Sequence, residues 1–252
     1  MEKTITARDE QYEEEKEKYL QKLGKAVPLS YVADNFAKYV SRKELTRFLV
    51  RHELFKQILD IKGSIVECGV LGGNGVMGWA QLSAIMEPVA YHRRVYGFDT
   101  FEGFPSVHAR DLEANSYASG DKAYLKKGFM KDDSYADLQQ AIHLHDLNRF
   151  LPQIAKTFLV KGDFMKTADD FIKANPHLIV ALLYLDFDLY EPTKKALELF
   201  LPRMPKGSII GFDEINNPKW PGETSALLEM LKLRDIRIQK FPYEPNMAYV
   251  VL

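Results

Sequence analysis

The sequence predicts an α/β fold: one mostly parallel sheet of about seven strands with helices on both faces, an N-terminal helical layer and a lid insertion. Three observations predict it. Strand-like runs alternate with helical patterns along the chain. The run Leu178–Leu185 is apolar throughout, as a strand covered on both faces must be. That run then passes straight into Asp186 and Asp188, releasing polar residues at the strand end where open α/β sheets bind ligands.

The bulk composition sets the bounds. A chain of 252 residues with 46% apolar and 12% aromatic content can bury a full core. Its formal charge of -1 gives no broad attraction to nucleic acid or to anionic membranes, so small-molecule partners are expected. Cys68 is the only cysteine, which excludes an internal disulfide and suits a reducing cytosol. The charged N-terminus does not resemble a signal peptide and no apolar run is long enough for a bilayer, so a cytoplasmic protein is expected.

In chain order, residues 1–60 read as a helical extension for substrate or oligomer contacts, and 61–252 as the α/β domain, with a lid at about 101–133. Residues 1–24 are dense in Glu and Lys, either a helix with a thin apolar stripe or a solvated arm. Ser41–Glu44 has the form of a capping box for a helix whose apolar face carries Leu45, Phe48, Leu49, Phe55, Ile58 and Leu59. Such a face needs cover from the sheet or from another subunit, hence the expected homodimer or higher homo-oligomer.

Ser64–Gly75 is a strand, a glycine turn and a helix start, where Gly69, Gly72 and Gly73 let backbone approach a ligand. The spacing is not the Gly-x-Gly-x-x-Gly of dinucleotide enzymes. Val95–Asp99 is a second strand ending in an acid, placed for ribose hydroxyls or for an ordinary turn. The stretch 100–133, with Phe104-Pro105 and Ser116–Gly120, is long for a connection and reads as a lid. A helix follows through Phe150, on which His143 and His145 are either catalytic or ordinary packed residues. Lys156–Val160 is a third strand closed by Lys161-Gly-Asp-Phe164, where Asp163 and Phe164 suit an amino-purine edge or a plain turn. Helices from Thr167 and around Pro192 flank the central strand, and Ser208–Asp213 repeats its acidic ending, so Asp186, Asp188, Asp213 and Glu214 meet at one sheet edge. Two final strands, Ile236–Phe241 and Met247–Leu252, close the chain.

The ordered set Val66-Glu-Cys-Gly-Val70, Tyr96–Pro105, Lys161–Phe164, Leu185-Asp-Phe-Asp-Leu-Tyr-Glu-Pro-Thr193 and Phe212-Asp-Glu214 resembles the macrocin O-methyltransferase family. Phe212–Glu214 and Asn217–Gly222 are most similar to its branch acting on nucleotide-linked deoxysugars. The resemblance covers roughly residues 30 to 252. It implies a class I, Rossmann-like fold and S-adenosyl-L-methionine as methyl donor. It places Glu67, Gly69, Gly72, Gly73 and Asn74 at the methionine end of the donor, Asp99 and Thr100 at its ribose, Asp163 and Phe164 at its adenine, with Asp186 also close. It implies a divalent metal, Mg²⁺, on Asp186, Asp213 and Glu214, and Asp188 as general base. Phe187 stands where the family usually has Gly, and Glu214 where it has Asp. Substrate contacts are expected from Tyr31, Asn35, Phe104, Tyr190 and Trp220, on a sugar or nucleotide-sugar. Two other functions compete: a non-catalytic nucleotide-binding module, and an NAD-linked sugar oxidoreductase.

Overall fold

The computed structural model describes residues 7–24, 26–112 and 125–252. Five apolar runs become five parallel strands: β1 Ser64–Cys68, β2 Val95–Asp99, β3 Thr157–Lys161, β4 Val180–Leu185 and β5 Ile209–Phe212. The chain then reverses into the hairpin of β6 Gln239–Phe241 and β7 Glu244–Val251. The sheet order is β3-β2-β1-β4-β5-β7-β6, with β7 antiparallel to both neighbours. From β1 the chain first builds outward through β2 and β3, then returns to lay β4 and β5 on the other side. The switch point is therefore between β1 and β4, and their C-terminal ends open a crevice there.

Every residue of β1 and β4 is buried, as expected for strands covered on both faces. Alternation divides β4 between two cores. Leu182 and Tyr184 pack with Leu54, Phe55 and Trp79, while Leu183 and Leu185 pack with Phe98, Phe164 and Phe200. The helices are α1 Ala7–Leu23, α2 Leu29–Asp34, α3 Arg42–Gln57, α4 Asn74–Met86, α5 Ala109–Leu112, α6 Tyr135–Leu147, α7 Phe164–Ala174, α8 Tyr190–Phe200 and α9 Gly222–Met230. Among the described residues, none of these helices is long and apolar enough to cross a membrane.

Helix α3 begins as its capping signal predicts, Ser41 Oγ accepting from Glu44 N at 3.1 Å. Its buried face matches the expected one in part, Phe55 and Ile58 being fully buried and Phe48 packed against the core. Thr46, Val50, Arg51, Leu54 and Phe55 turn inward, whereas Leu45, Leu49 and Leu59 are exposed. This face keeps Val50, Leu54 and Phe55 in the core and at the same time turns Arg47 and Arg51 toward Asp213 and Glu67. Thus α3, inside the predicted extension, packs into the main core. No described residue of α1 or α2 is buried. Of the predicted lid, residues 113–124 lie outside the described residues, Ser116–Gly120 among them. Its two roots are joined by Phe104 N to Phe129 O and Gly128 N to Phe104 O, both 2.9 Å. They share a small apolar cluster in which Phe104, Leu125 and Leu189 pack with Trp220.

At the opposite end of the sheet Lys156 is buried, its Nζ donating to Ser83 Oγ at 2.6 Å. Burial pulls its pKa from 10.5 down to about 8. The unfolded chain therefore holds this proton more tightly, and stability contributed by the site rises as pH climbs from about 8 to 10.5. Replacing Lys156 with Met removes the effect. In urea unfolding the wild type should gain on Lys156→Met by about 2 kcal/mol between pH 7 and pH 10; a gap that does not change with pH would refute this account.

Candidate active site

The crevice at the switch point is a cleft walled by the segments that follow each parallel strand. After β1 come Gly69 and Leu71; after β2, Asp99, Thr100 and Phe104; after β3, Asp163, Phe164 and Met165. After β4 come Asp186, Phe187, Asp188 and Leu189, and after β5, Asp213, Glu214 and Trp220. Arg47 enters from α3.

Gly69 is there because nothing larger fits. Its φ is +95°, and a Cβ would lie 1.9 Å from Asp186 O, where β1 and β4 part. Bare backbone thus forms that wall of the cleft. Gly73 has a φ of +85° and caps α4, but it faces Leu138 and does not line the cleft. Gly72 and Asn74 also fall outside the wall, and Asn74 Nδ2 donates to Glu44 Oε2 at 3.3 Å.

Asp99, expected at a ribose, spends its carboxylate on this turn. Its Oδ2 accepts from Val70 N at 2.7 Å and Leu71 N at 2.9 Å, and its Oδ1 from Phe101 N at 2.6 Å. It still lines the cleft, with lone-pair capacity left on Oδ1. Asp163 is the N-cap of α7, accepting from Met165 N at 3.1 Å. Phe164 is 4% exposed and stands edge-on to Phe98, so its ring is mostly core with one edge at the cleft.

The acids do converge, though not by the expected route. Strand geometry ends at Leu185, and Asp188 takes a left-handed φ of +61°. Alternation along a strand therefore does not set the two aspartates side by side; a turn brings Asp188 back to the same cleft as Asp186. Burial, then the neighbouring Asp213, holds both carboxyls well above the usual aspartate range. Glu223, at the start of α9, is fully buried beneath them, its Oε2 accepting from Glu214 N at 3.0 Å. Burial pushes its proton affinity up as well.

The compensating charge comes from α3. Arg47 Nη2 reaches Asp213 Oδ2 at 2.7 Å, and Tyr184 OH donates to Asp213 Oδ1 at 2.7 Å. One turn along, Arg51 lies 3.9 Å from Glu67 Oε1 and faces the Trp79 and Tyr184 rings. Glu67 is buried against Gly75, does not line the cleft, and is raised to about pKa 7 by burial against the pull of Arg51. Arg47, Arg51, Tyr184 and Glu223 were not legible as site residues; the four-residue spacing of the two arginines on one helix face was the signal available for that pair.

The donor set suits a hard cation in its chemistry, being all oxygen. Its arrangement does not. Both oxygens of Asp213 are engaged, Glu214 accepts from the Asn217 side chain, and among the described residues no three acidic, His or Cys side chains converge to hold a metal ion. The magnesium expected on Asp186, Asp213 and Glu214 finds no assembled site, because Arg47 supplies the positive charge at Asp213.

Several other expected site residues lie elsewhere. His143 is exposed on α6, and His145 is buried, where burial and then Arg149 lower its proton affinity; neither lines the cleft. Tyr31 is exposed, its phenol accepting from Lys38 Nζ at 3.3 Å and its backbone oxygen from Asn35 Nδ2 at 2.9 Å, and neither Tyr31 nor Asn35 lines the cleft. Tyr190 is buried and donates its phenol to Glu229 at 2.6 Å, tying α8 to α9. Phe104 and Trp220 do line the cleft, edge to face at 6.4 Å.

Comparison with known proteins follows the same outline. A curated tetracenomycin-pathway relative from Streptomyces olivaceus, an 8-demethyl-8-(2,3-dimethoxy-alpha-L-rhamnosyl)-tetracenomycin-C 4'-O-methyltransferase, is 30% identical over 159 residues, 61% of this chain and 53% of its own length. The chain thus spans about half the length of that relative. The crystal structure of CalS11, a calicheamicin methyltransferase, is similar at 35% identity and TM-score 0.86, covering 95% of this chain and 92% of that one. An apo structure of CalS11, described as a TDP-rhamnose 3'-O-methyltransferase, matches at 33% identity and TM-score 0.78 over 95% and 94% of the two chains. The macrocin O-methyltransferase model matches residues 51–226, which contain β1 to β5 and every acid of the cleft, so the chain belongs to the macrocin O-methyltransferase family.

Proposed function

We propose that the protein transfers a methyl group from S-adenosyl-L-methionine to a hydroxyl of a deoxysugar, and that the sugar is nucleotide-linked. The observation that carries this reading is the cleft itself. Bare backbone at Gly69, the half-sheltered edge of Phe164 and the row Asp186, Asp188 and Asp213 line one cavity at the switch point. The names of the relatives favour a rhamnose-type acceptor over other alcohols.

When bound, S-adenosyl-L-methionine supplies a methyl group on a sulfonium sulfur. The protein's task is to present a hydroxyl in line with that methyl and to remove its proton. Asp188 is the proposed acceptor. It lines the cleft, is 8% exposed, and its raised proton affinity suits a base better than an ordinary aspartate would. As the acceptor oxygen forms its bond to carbon, the carbon–sulfur bond breaks with its electrons going to sulfur, and the hydroxyl proton passes to an Asp188 oxygen. Phe104 and Trp220 offer aromatic edges and faces to the apolar side of a sugar ring. Arg47 stays paired with Asp213 at 2.7 Å.

The acceptor is tested by incubating the enzyme and the donor with a panel of dTDP-deoxyhexoses and of finished glycosides. Mass spectrometry should show a gain of one methyl on a nucleotide-sugar, and a gain on glycosides alone would move the acceptor class. Calorimetric titration should show binding of S-adenosyl-L-methionine and none of NAD; the reverse would favour an oxidoreductase.

Asp188→Asn should lower turnover by about 10²- to 10⁴-fold while leaving donor affinity unchanged. The wild-type rate should rise with pH through a limb whose midpoint lies above the ordinary aspartate value of 3.8, and that limb should vanish in the variant. A variant that keeps wild-type turnover removes Asp188 from the role.

Arg47→Met leaves Asp213 buried without its charge partner and should destabilise the fold by about 3 kcal/mol. Adding Asp213→Asn should recover most of that loss in urea unfolding. Equal stability of wild type and Arg47→Met would show that the pair contributes nothing.

A further inference from the structure

We propose that Asp111, at the root of the lid insertion, is a positioning residue that holds the turn carrying Asp188. This rests on the reading of Asp188 as the base. The turn needs holding: Asp188 has a φ of +61°, a conformation that a residue with a Cβ adopts only when its surroundings over-determine it. Helix α8 starts two residues later, and its N-cap, Leu189, has no side chain able to satisfy the first free backbone N–H groups.

Asp111 supplies what the local sequence lacks. Its side chain is almost fully buried, with the residue 1% exposed, and its Oδ1 accepts from Tyr190 N at 2.8 Å across 79 positions of chain. The carboxylate thus caps α8 from outside, next to the Asp188 turn. Gly222 completes the arrangement. A Cβ there would lie 2.6 Å from each of Asp111 Oδ1, Asp188 O and Tyr190 N, so three segments meet against one bare Cα.

The local alternative is that Asp111 merely closes its own turn, since Oδ2 accepts from His108 N at 2.9 Å. One oxygen suffices for that. The second reaches into another element, and Arg110 beside it lies 4.4 Å from the centre of the Tyr190 ring, so α5 is seated on the start of α8 by two successive residues. Whatever seats α5 therefore also sets the backbone that aims Asp188.

The test compares Asp111→Ala and Asp111→Asn with wild type. Asp111→Ala should lower kcat about 100-fold with donor affinity and acceptor KM little changed, since a misaimed base costs rate and not binding. Its pH–rate limb should shift, and hydrogen exchange over residues 188–192 should quicken. Asp111→Asn keeps one oxygen for Tyr190 N–H and should return both readouts to within a few-fold of wild type. Wild-type kcat and exchange in Asp111→Ala would overturn the proposal, as would loss of donor affinity in step with kcat, or an Asn variant no better than Ala. A wild type without transferase activity would refute the functional reading instead, and the exchange rates would still decide whether Asp111 holds the turn.

Discussion

The ion pair between Arg47 and Asp213 is the constraint on which the strand ends depend. Five carboxylates, Asp186, Asp188, Asp213, Glu214 and Glu223, lie within a few residues of the ends of β4 and β5 or beneath them, and Asp213 is 2% exposed. Buried carboxylates at such distances repel strongly and lose hydration, so each would take up a proton or open the structure unless a counter-charge were fixed nearby. Helix α3 brings that charge, and the pair it forms spans 166 positions of sequence. The docking of α3 on the sheet and the electrostatics of the cleft are thus one problem. Rotating α3 to bury Leu45 and Leu49 would draw Val50 and Leu54 out of the core and strip Asp213 of its partner.

The same economy appears in the glycines. Gly69 and Gly222 sit where two or three segments converge on a single Cα, with a Cβ at either colliding with main-chain atoms of the Asp186–Tyr190 segment. One glycine lets β1 and β4 separate into a cleft; the other lets α9 press against the turn that follows β4. Between them they fix the short path Asp186–Tyr190 from opposite sides, which allows a strained residue to persist at Asp188.

Much of the fold was legible, for physical reasons that can be named. The run Leu178–Leu185 read as a doubly covered strand, which it is from Val180 onward, and the order of strand-end motifs carried the family. Asp99, Asp163, Asp186, Asp188, Asp213 and Glu214 could be placed at the sheet edge because a parallel sheet puts all its strand C-termini on one side. What stayed hidden depended on long-range pairing. Arg47 and Arg51 were not singled out, since a charged residue on a helix gives no sign by itself that it faces a buried acid. Asp111 carried no signal, since its partner is a backbone N–H remote in sequence. Asp188 took its expected role from the family motif, and a motif read along the sequence cannot foresee a left-handed residue. His143 and His145 looked chemical by type alone, but α6 places one in solvent and the other in a buried basic corner. Tyr190, adjacent to the acids in sequence, turns its phenol to Glu229 because the helix it begins points away from the cleft.

The charge balance of the cleft bears on how transfer would proceed. A sulfonium donor carries a positive charge at sulfur and the acceptor hydroxyl is neutral; after transfer the thioether sulfur and the new ether oxygen are both neutral, and the hydroxyl proton has to be taken up elsewhere. An acid-rich wall therefore attracts the donor before reaction more than it attracts the transition state, where the positive charge on sulfur is already fading, and binding of that kind slows the chemical step. Two features oppose that penalty. Arg47 cancels the charge of Asp213, the acid most deeply set in the row, so the donor does not meet the full negative field. Asp188, the proposed base, would turn from anion to neutral acid as the sulfonium charge disappears, so the summed charge of the reacting groups and this acid would not change during transfer. On that proposal the residue that gains the proton and the residue already ion-paired are different ones, and the two environments do differ: Asp188 sits in a left-handed turn, whereas Asp213 is bonded to Arg47 and Tyr184.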